Sequence, residues 1–359
     1  MGIRMGVYIS RPAVHLPAHL IPRQRIHDDM VDRHGDHPRL GTVRRILAQM
    51  PAERRFSQPW EVVVAERGLA ERNRTAFADL AAMGTTAARH LLDRYGVAPD
   101  RVDCVVTSHS TGDAVPGLDV YLAAELGLRP DVRRRPLTQL GCNGGAHGLV
   151  MAVEAVRANP GSLVLLVVAE SLSSIYHHGD TGVEMMVYKA LWGDSGTAVL
   201  VSDRPLGPGL RVEDTWEYLL PDSHRRYRKR LDETGVHFDS ERSAPQSIKG
   251  ISPALRRWLA RPLPGAPAAD GGPWPLDFTV SHTGGPAILR DLGEQLGLGD
   301  EALRHSWDSL DRSGNLGGAS VLDVLDRTHA APPPAGATGL LIGFGPGFAV
   351  SALKATWVG

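Results

Sequence analysis

Residues 139–148, Gln139-Leu140-Gly141-Cys142-Asn143-Gly144-Gly145-Ala146-His147-Gly148, carry a cysteine through a glycine-rich turn. Residues 137–140 read as the end of a strand. The segment that follows, with Leu149, Val150, Val153 and Val156 beside Met151, Ala152 and Ala155, reads as a helix to about residue 158. A helix apolar on nearly every face is a buried one. The turn therefore sets Cys142 at the N-terminus of an interior helix, where free N–H groups and the macrodipole favour an anion. Such a place stabilises a thiolate, and the glycines permit a strained turn and close approach to a substrate carbonyl. The bland alternative is a plain buried cysteine, and this context leaves both readings open. Cys104, inside the apolar run 102–108, reads as structural.

Outward from this turn, strand and helix patterns alternate. Residues 102–108, 162–169 and 196–201 are apolar runs of strand length; the second is continuous enough to be buried on both faces. Residues 38–50, 70–95 and 116–126 read as helices, and the first hundred residues as helix-rich and polar. Beyond a charged stretch at 222–249, read as helix and loop, and a Pro/Gly-rich surface loop at 261–275, strand 277–281 leads to helix 286–296. A buried helix starts near Asn315, and residues 340–344 and 348–356 form a closing hairpin. The alternation defines an α/β protein. No short-period repeat occurs, but both halves show strand, turn and a small-residue-rich helix, as a pseudo-duplicated fold would.

Composition narrows the function. The 359 residues carry 39 basic and 40 acidic groups, without the basic balance of a nucleic-acid binder. Only Lys189, Lys229, Lys249 and Lys354 are lysines; the arginine excess, with abundant Ala, Gly and Pro, reads as the codon bias of a GC-rich genome. Two cysteines make no disulfide framework, no run reaches the ~20 apolar residues of a membrane span, and the N-terminus lacks a secretory pattern. The expectation is a cytoplasmic enzyme of about two domains, without nucleic-acid or membrane partners and without a bound metal.

A nucleophilic sulfur needs a base or an electrophilic partner. Among fifteen histidines, His282 ends an apolar strand and precedes Thr283-Gly284-Gly285-Pro286, a turn into a helix. Strand ends are where α/β sheets place their chemistry. Asn315 lies in Ser313-Gly314-Asn315-Leu316-Gly317-Gly318-Ala319, a second glycine-rich turn; alone, it reads equally as a helix N-cap.

Together these motifs resemble the chalcone/stilbene synthase family, the type III polyketide synthases of the thiolase superfamily. The resemblance rests on the Cys142 turn, His282-Thr-Gly-Gly-Pro-Ala, Gly314-Asn315 and Gly343-Phe344-Gly345-Pro346-Gly347, with 140 residues from Cys142 to His282 and 33 more to Asn315. Leu191-Trp192-Gly193-Asp194 and Pro221-Asp222-Ser223 add to it, and it is strongest from about residue 100 onward. It implies a homodimer of thiolase-like five-layered αβαβα subunits with two pseudo-duplicated halves, 1–205 carrying the cysteine and 206–359 carrying the histidine and asparagine. It also implies that Cys142 holds an acyl starter while His282 and Asn315 bind the malonyl thioester oxygen. Malonyl-CoA units then lose CO₂ and extend the chain, and CoA thioesters serve as substrates with no cofactor. His282 as an imidazolium would hold Cys142 as thiolate.

The same resemblance assigns the pocket and marks departures. Trp192 stands where the family usually has a gating Phe, and Phe238 is the second gate. Gly317 replaces a slightly larger residue and is expected to enlarge the cavity. Ser110 and Thr111 are expected to line it, and Val115 to approach from the dimer interface. His109 and Asp113 are read as an interface hydrogen-bond pair or part of an altered starter pocket. Gly345 and Pro346 belong to the substrate loop. Arg45, beside Arg44, matches a CoA-phosphate position, but Thr42 and Gln49 stand where lysines are usual, so an acyl-carrier-protein donor stays open. The competing readings are a ketosynthase III-like enzyme performing one condensation or an acyl transfer, and a catalytically silent binding subunit.

Overall fold

A computed structural model describes residues 6–233, 235–241, 243–263 and 273–359. Ten strands hydrogen-bond along one continuous sheet. The first half supplies Cys104–His109, Arg133–Thr138, Val164–Glu170 and Ser195–Ser202; the second supplies Gly209–Leu219, Phe278–Ser281, Thr338–Gly345 and Ala349–Val358. Val7–Ile9 joins the two sets, antiparallel to Ser195–Ser202 on one side and Gly209–Leu219 on the other. The short strand Ala13–His15 pairs beside it with Ser195–Ser202.

The sheet folds around two central helices, Gly144–Ala158 and Ser320–Ala330. Strand periodicity explains the layers, because successive side chains point to opposite faces. Val106, Leu166 and Val168 face inward and pack with Leu149, Val153, Val321 and Leu325, which also meet Val280, Leu341 and Leu353 of the other half. Val105, Leu165 and Val167 face outward onto Leu80, Leu91 and Leu122 of helices Leu69–Tyr95 and Leu118–Leu126. On the far side, Leu340, Ile342 and Val350 pack under Ile251, Leu255 and Leu292 of helices Ser247–Leu259 and Pro286–Leu296. The result is the five-layered αβαβα order of a thiolase-like fold. The expected division at 205/206 lies in the segment between Ser195–Ser202 and Gly209–Leu219.

The two halves repeat a local sequence at the centre. Gly141-Cys142-Asn143-Gly144-Gly145-Ala146 corresponds to Gly314-Asn315-Leu316-Gly317-Gly318-Ala319. Gly141 (φ 54°) and Gly314 (φ 76°) each open their turn in the left-handed region, where an L side chain is disfavoured. The turns cross so tightly that a β-carbon on Gly145 would overlap the Gly318 carbonyl oxygen and press on Val321.

Three readings of the sequence need correction. The stretch 222–249 holds a β-ribbon, Tyr227–Asp232 paired with Gly235–Ser240, followed by the start of helix Ser247–Leu259. Tyr227, Leu231, Val236 and Phe238 share one face, but the charged residues of 225–233 interrupt the pattern, so the short apolar alternation does not stand out. Strand Arg133–Thr138 begins earlier than expected because its arginines lie on a mostly exposed sheet edge. The first sixty residues also contain strands His19–Pro22 and Glu53–Phe56, too short for periodicity to register. Most of the expected Pro/Gly loop, residues 264–272, lies outside the described residues.

The glycine crossing sets an expectation for stability. Gly145→Ala should lower the unfolding free energy by about 2 kcal/mol or more through overpacking against backbone. Gly41→Ala, with nothing within 4 Å of the new carbon, should stay within about 0.5 kcal/mol. Urea unfolding of the two variants checks the contrast.

Candidate active site

Three turns converge on one chamber. Cys142 sits in the short turn Gly141–Asn143 that precedes the first central helix. Asn315 lies just ahead of the short turn Gly317–Ala319 that precedes the second central helix. His282 follows strand Phe278–Ser281, its backbone N–H bonded to Ile342 O at 2.9 Å. Thr283 Oγ1 donates to Ser320 Oγ at 3.1 Å, which ties the histidine turn to the asparagine turn. The cysteine turn is braced from behind. Gln139 holds a φ of 64°, a costly conformation for a non-glycine residue. A β-carbon on Gly141 would meet Pro346 Cδ at 2.7 Å, so the Gly343–Gly347 loop closes directly on the turn. Ser223 Oγ accepts the Phe348 N–H at 2.7 Å and lies against the Leu220 carbonyl, fastening that loop in turn.

The Asn315 carboxamide has one orientation. Its Oδ1 accepts from Gly317 N at 2.8 Å and Ser320 Oγ at 3.4 Å, so Nδ2 faces Cys142 Sγ at 3.9 Å. A donor is thereby aimed past the sulfur, where an oxyanion would develop. His282 lines the same chamber, as do Trp192, Phe238, Gly345 and Pro346. The chamber encloses about 80 Å³. Its walls are strongly aromatic: Tyr188 stacks on Trp192 with ring centroids 4.8 Å apart, and Trp192 meets Phe238 edge-on at 4.8 Å. Tyr227, Phe344 and Phe348 complete that wall. The backbones of Trp192 and Asn315 are bridged, since Asn315 N donates to Leu191 O at 2.8 Å and Gly193 N to Asn315 O at 3.1 Å.

Electrostatics bear on one expectation. Burial pushes the Cys142 thiol up to about 12; the charge of Glu170 adds to this and the Asn315 hydrogen bond opposes it. Burial pushes His282 down to about 3, opposed in part by the Gly317 backbone. Both shifts disfavour the ionised partners. Both directions run against the expected thiolate–imidazolium pair in the free site. Cys104 is buried in its strand, its thiol also raised by burial, and faces no part of the chamber.

Other assigned residues lie elsewhere. Ser110 and Thr111 turn to Glu170: Ser110 N–H and Oγ donate to its carboxylate at 3.1 and 2.9 Å, and Thr111 Oγ1 at 3.2 Å. They hold Glu170 behind the sulfur instead of lining the chamber. Gly317 does not enlarge the cavity, because a β-carbon there would meet Glu170 Cγ at 3.0 Å; the space is already filled. Val115 is fully exposed on the surface of the single chain. His109 Nδ1 lies 2.9 Å from Thr111 O, and the Asp113 N–H donates to Asn73 Oδ1 at 2.8 Å. These two therefore have separate partners and do not pair within the chain. Arg45 is exposed on helix Leu40–Leu47, its Nη2 3.3 Å from Thr42 Oγ1.

Sequence reasoning missed Glu170, Tyr188 and Tyr227. Glu170 ends the most apolar strand of the chain, and a carboxylate closing such a run was the available signal. Burial raises it to about 7, against the hydrogen bonds from Ser110 and Thr111. Among the described residues no group of three or more His, Cys, Asp or Glu is placed to hold a metal ion, and no helix is long and apolar enough to cross a membrane.

Comparison with known proteins identifies the class. Models of the chalcone and stilbene synthases match on both sides, the N-terminal domain over residues 40–205 and the C-terminal domain over residues 211–357. The chain is 30% identical over 351 residues to 1,3,6,8-tetrahydroxynaphthalene synthase of Streptomyces griseus, covering 97% of this chain and 92% of the relative. It is 29% identical to phloroglucinol synthase of Pseudomonas fluorescens, covering 96% and 98%. The crystal structure of 1,3,6,8-tetrahydroxynaphthalene synthase from Streptomyces coelicolor A3(2), a bacterial type III polyketide synthase, superposes with a TM-score of 0.91 at 30% identity, covering 98% of this chain and 99% of that one. The chain thus belongs to the chalcone and stilbene synthase family and is a type III polyketide synthase, an acyl-transferring enzyme. The ketosynthase III-like alternative and the silent subunit are not favoured.

The ionisation state is open to measurement. Alkylation of Cys142 by iodoacetamide should keep accelerating from pH 7 to 10 without a plateau, as a thiol near 12 requires; a plateau below pH 8 would contradict the raised thiol. At pH 8, Glu170→Gln should speed the reaction by removing the carboxylate charge that raises the thiol.

Proposed function

We propose that Cys142, His282 and Asn315 carry out repeated decarboxylative condensation of malonyl-CoA onto an acyl group held on the cysteine. The observation that supports this best is the fixed Asn315 carboxamide, its N–H side turned to the sulfur in a chamber it shares with His282. In loading, the sulfur attacks the acyl-CoA carbonyl while the neutral imidazole takes the thiol proton. That proton leaves with the CoA thiol as the carbon–sulfur bond to CoA breaks.

For extension, the malonyl thioester oxygen binds between Asn315 Nδ2 and the His282 ring. Loss of CO₂ leaves its electron pair on the thioester as an enolate, and the two donors stabilise the growing charge. The enolate carbon attacks the Cys142 thioester, the cysteine leaves, and the chain is two carbons longer. No further base is required, because decarboxylation itself creates the nucleophile. The dry site strengthens each donor.

The aromatic walls and the roughly 80 Å³ of open space support a short starter, with Trp192 and Phe238 as gate. Gly345 and Pro346 shape the wall opposite them. Exposed Arg45 and Arg44 offer a phosphate site for CoA, and an acyl carrier protein remains a second donor to be tested. The exposed Val115 and a groove beside Phe77 and Tyr121 support a homodimer across that face.

Purified protein with malonyl-CoA and a panel of acyl-CoAs should release malonate-derived CO₂ and form polyketide products; neither with any starter would refute the reading. Cys142→Ala should abolish the acyl adduct seen by intact-protein mass spectrometry. His282→Ala and Asn315→Ala should each slow decarboxylation about 10²–10³-fold. Trp192→Gly should change the starter and product range more than Asp113→Ala does; equal profiles would refute the gate.

A further inference from the structure

Phe238 stands on a two-stranded ribbon that pairs with no other strand among the described residues. Such a ribbon is marginal alone, so the gate is only as fixed as the ribbon's side-chain anchors. Strand alternation and the register, with Lys229 opposite Phe238 and Arg230 opposite His237, put Tyr227, Lys229 and Phe238 on the chamber side and His237 on the reverse.

The reverse side is held by His237, with His177 beside it: His177 Nε2 lies 3.2 Å from Val236 O, and its ring meets that of His237 edge-on at 4.9 Å. His237 is 4% exposed, with Nδ1 2.5 Å from Asp180 Oδ2 and Nε2 3.0 Å from Asp232 Oδ1. Hydrogen bonds to charged acceptors are among the stronger ones. Asp180 is itself fixed: its Oδ1 accepts Gly182 N–H at 2.8 Å and its carbonyl accepts Lys189 Nζ at 3.2 Å. Gly182 opens helix Val183–Leu191, and the next residue after that helix is Trp192. His237 therefore joins the ribbon bearing one gate ring to the helix bearing the other. On the chamber side, Lys229 Nζ donates to Ser110 O at 3.0 Å.

We propose that His237 is a positioning residue for the gate: clamped between Asp180 and Asp232, it holds Phe238 against Trp192 and sets the largest acyl group that reaches Cys142, with Lys229 as the second anchor. This rests on reading Trp192 and Phe238 as the gate and Cys142 as the nucleophile. His237 touches no reacting atom; it acts through Phe238. Releasing it frees the ribbon to swing outward and widens the entrance. The steric filter relaxes while the catalytic turns stay in place, because they are braced by the central glycine crossing instead.

The test reads the gate without turnover. Full-length protein is alkylated with iodoacetamide or with the bulky N-(1-pyrenyl)maleimide, and peptide mass spectrometry quantifies the label on Cys142. His237→Ala should raise the bulky-to-small rate ratio about tenfold, and Asp180→Asn, which keeps side-chain size, should raise it in the same direction. Phe238→Ala should raise it at least as much, and His237→Ala added to Phe238→Ala should give no further rise, since the two act on one element. With acyl-CoA starters, kcat/KM for long chains over short ones should rise by a similar factor. An unchanged ratio in folded Asp180→Asn and His237→Ala, fully additive shifts with Phe238→Ala, or a uniform loss of kcat with an unchanged size profile would overturn the proposal. A shifted alkylation ratio in a protein that never decarboxylates malonyl-CoA would refute the condensation reading and leave the gate assignment standing.

Discussion

The close crossing of two glycine-paired turns at the centre of the molecule governs the rest of the structure. Gly145 and Gly318 meet without β-carbons, and only that permits the helix N-termini from the two halves to approach as they do. The crossing brings residue 142 of one half and residue 315 of the other, equivalent positions in the repeated sequence, to opposite sides of one small space. One position carries the sulfur and the other a carboxamide, so a duplicated scaffold has yielded two different chemical roles. The apolar helices behind them make this placement rigid, since their side chains interlock with both sets of strands.

The second governing fact is dryness. A chamber walled by aromatic rings penalises charge, and it disfavours both the thiolate and the imidazolium before substrate arrives. Reactivity then depends on preorganised donors, and less on a standing ion pair. Glu170 sharpens the point. Clamped by Ser110 and Thr111 behind the sulfur, its charge works against a thiolate.

Much of the fold was legible in the sequence, for a physical reason: segments such as 162–169 are buried on both faces and 149–156 on most of theirs, and such burial leaves a dense apolar signature. The Cys142, His282 and Asn315 turns were legible because glycines must stand where backbones touch or φ is positive. The ribbon 227–240 was not, since its few apolar residues are spaced among charged ones and it is held by ion pairs that cross from distant segments. Gly317 was misread as added volume because a missing side chain says nothing about what fills the space; Glu170 does. Ser110 and Thr111 were misplaced for the same reason. Their hydroxyls donate to a buried partner, Glu170, far along the chain, that no local pattern reveals.

The central claim is that the two turns present one oxyanion site beside the sulfur. A crystal structure of the Cys142→Ala protein with malonyl-CoA tests it most directly. The expected result is the malonyl thioester oxygen about 3 Å from both Asn315 Nδ2 and a ring nitrogen of His282, with the pantetheine arm running along the Trp192 and Phe238 wall. A thioester oxygen bonded to neither group, with the malonyl carbon turned away from residue 142, would contradict it.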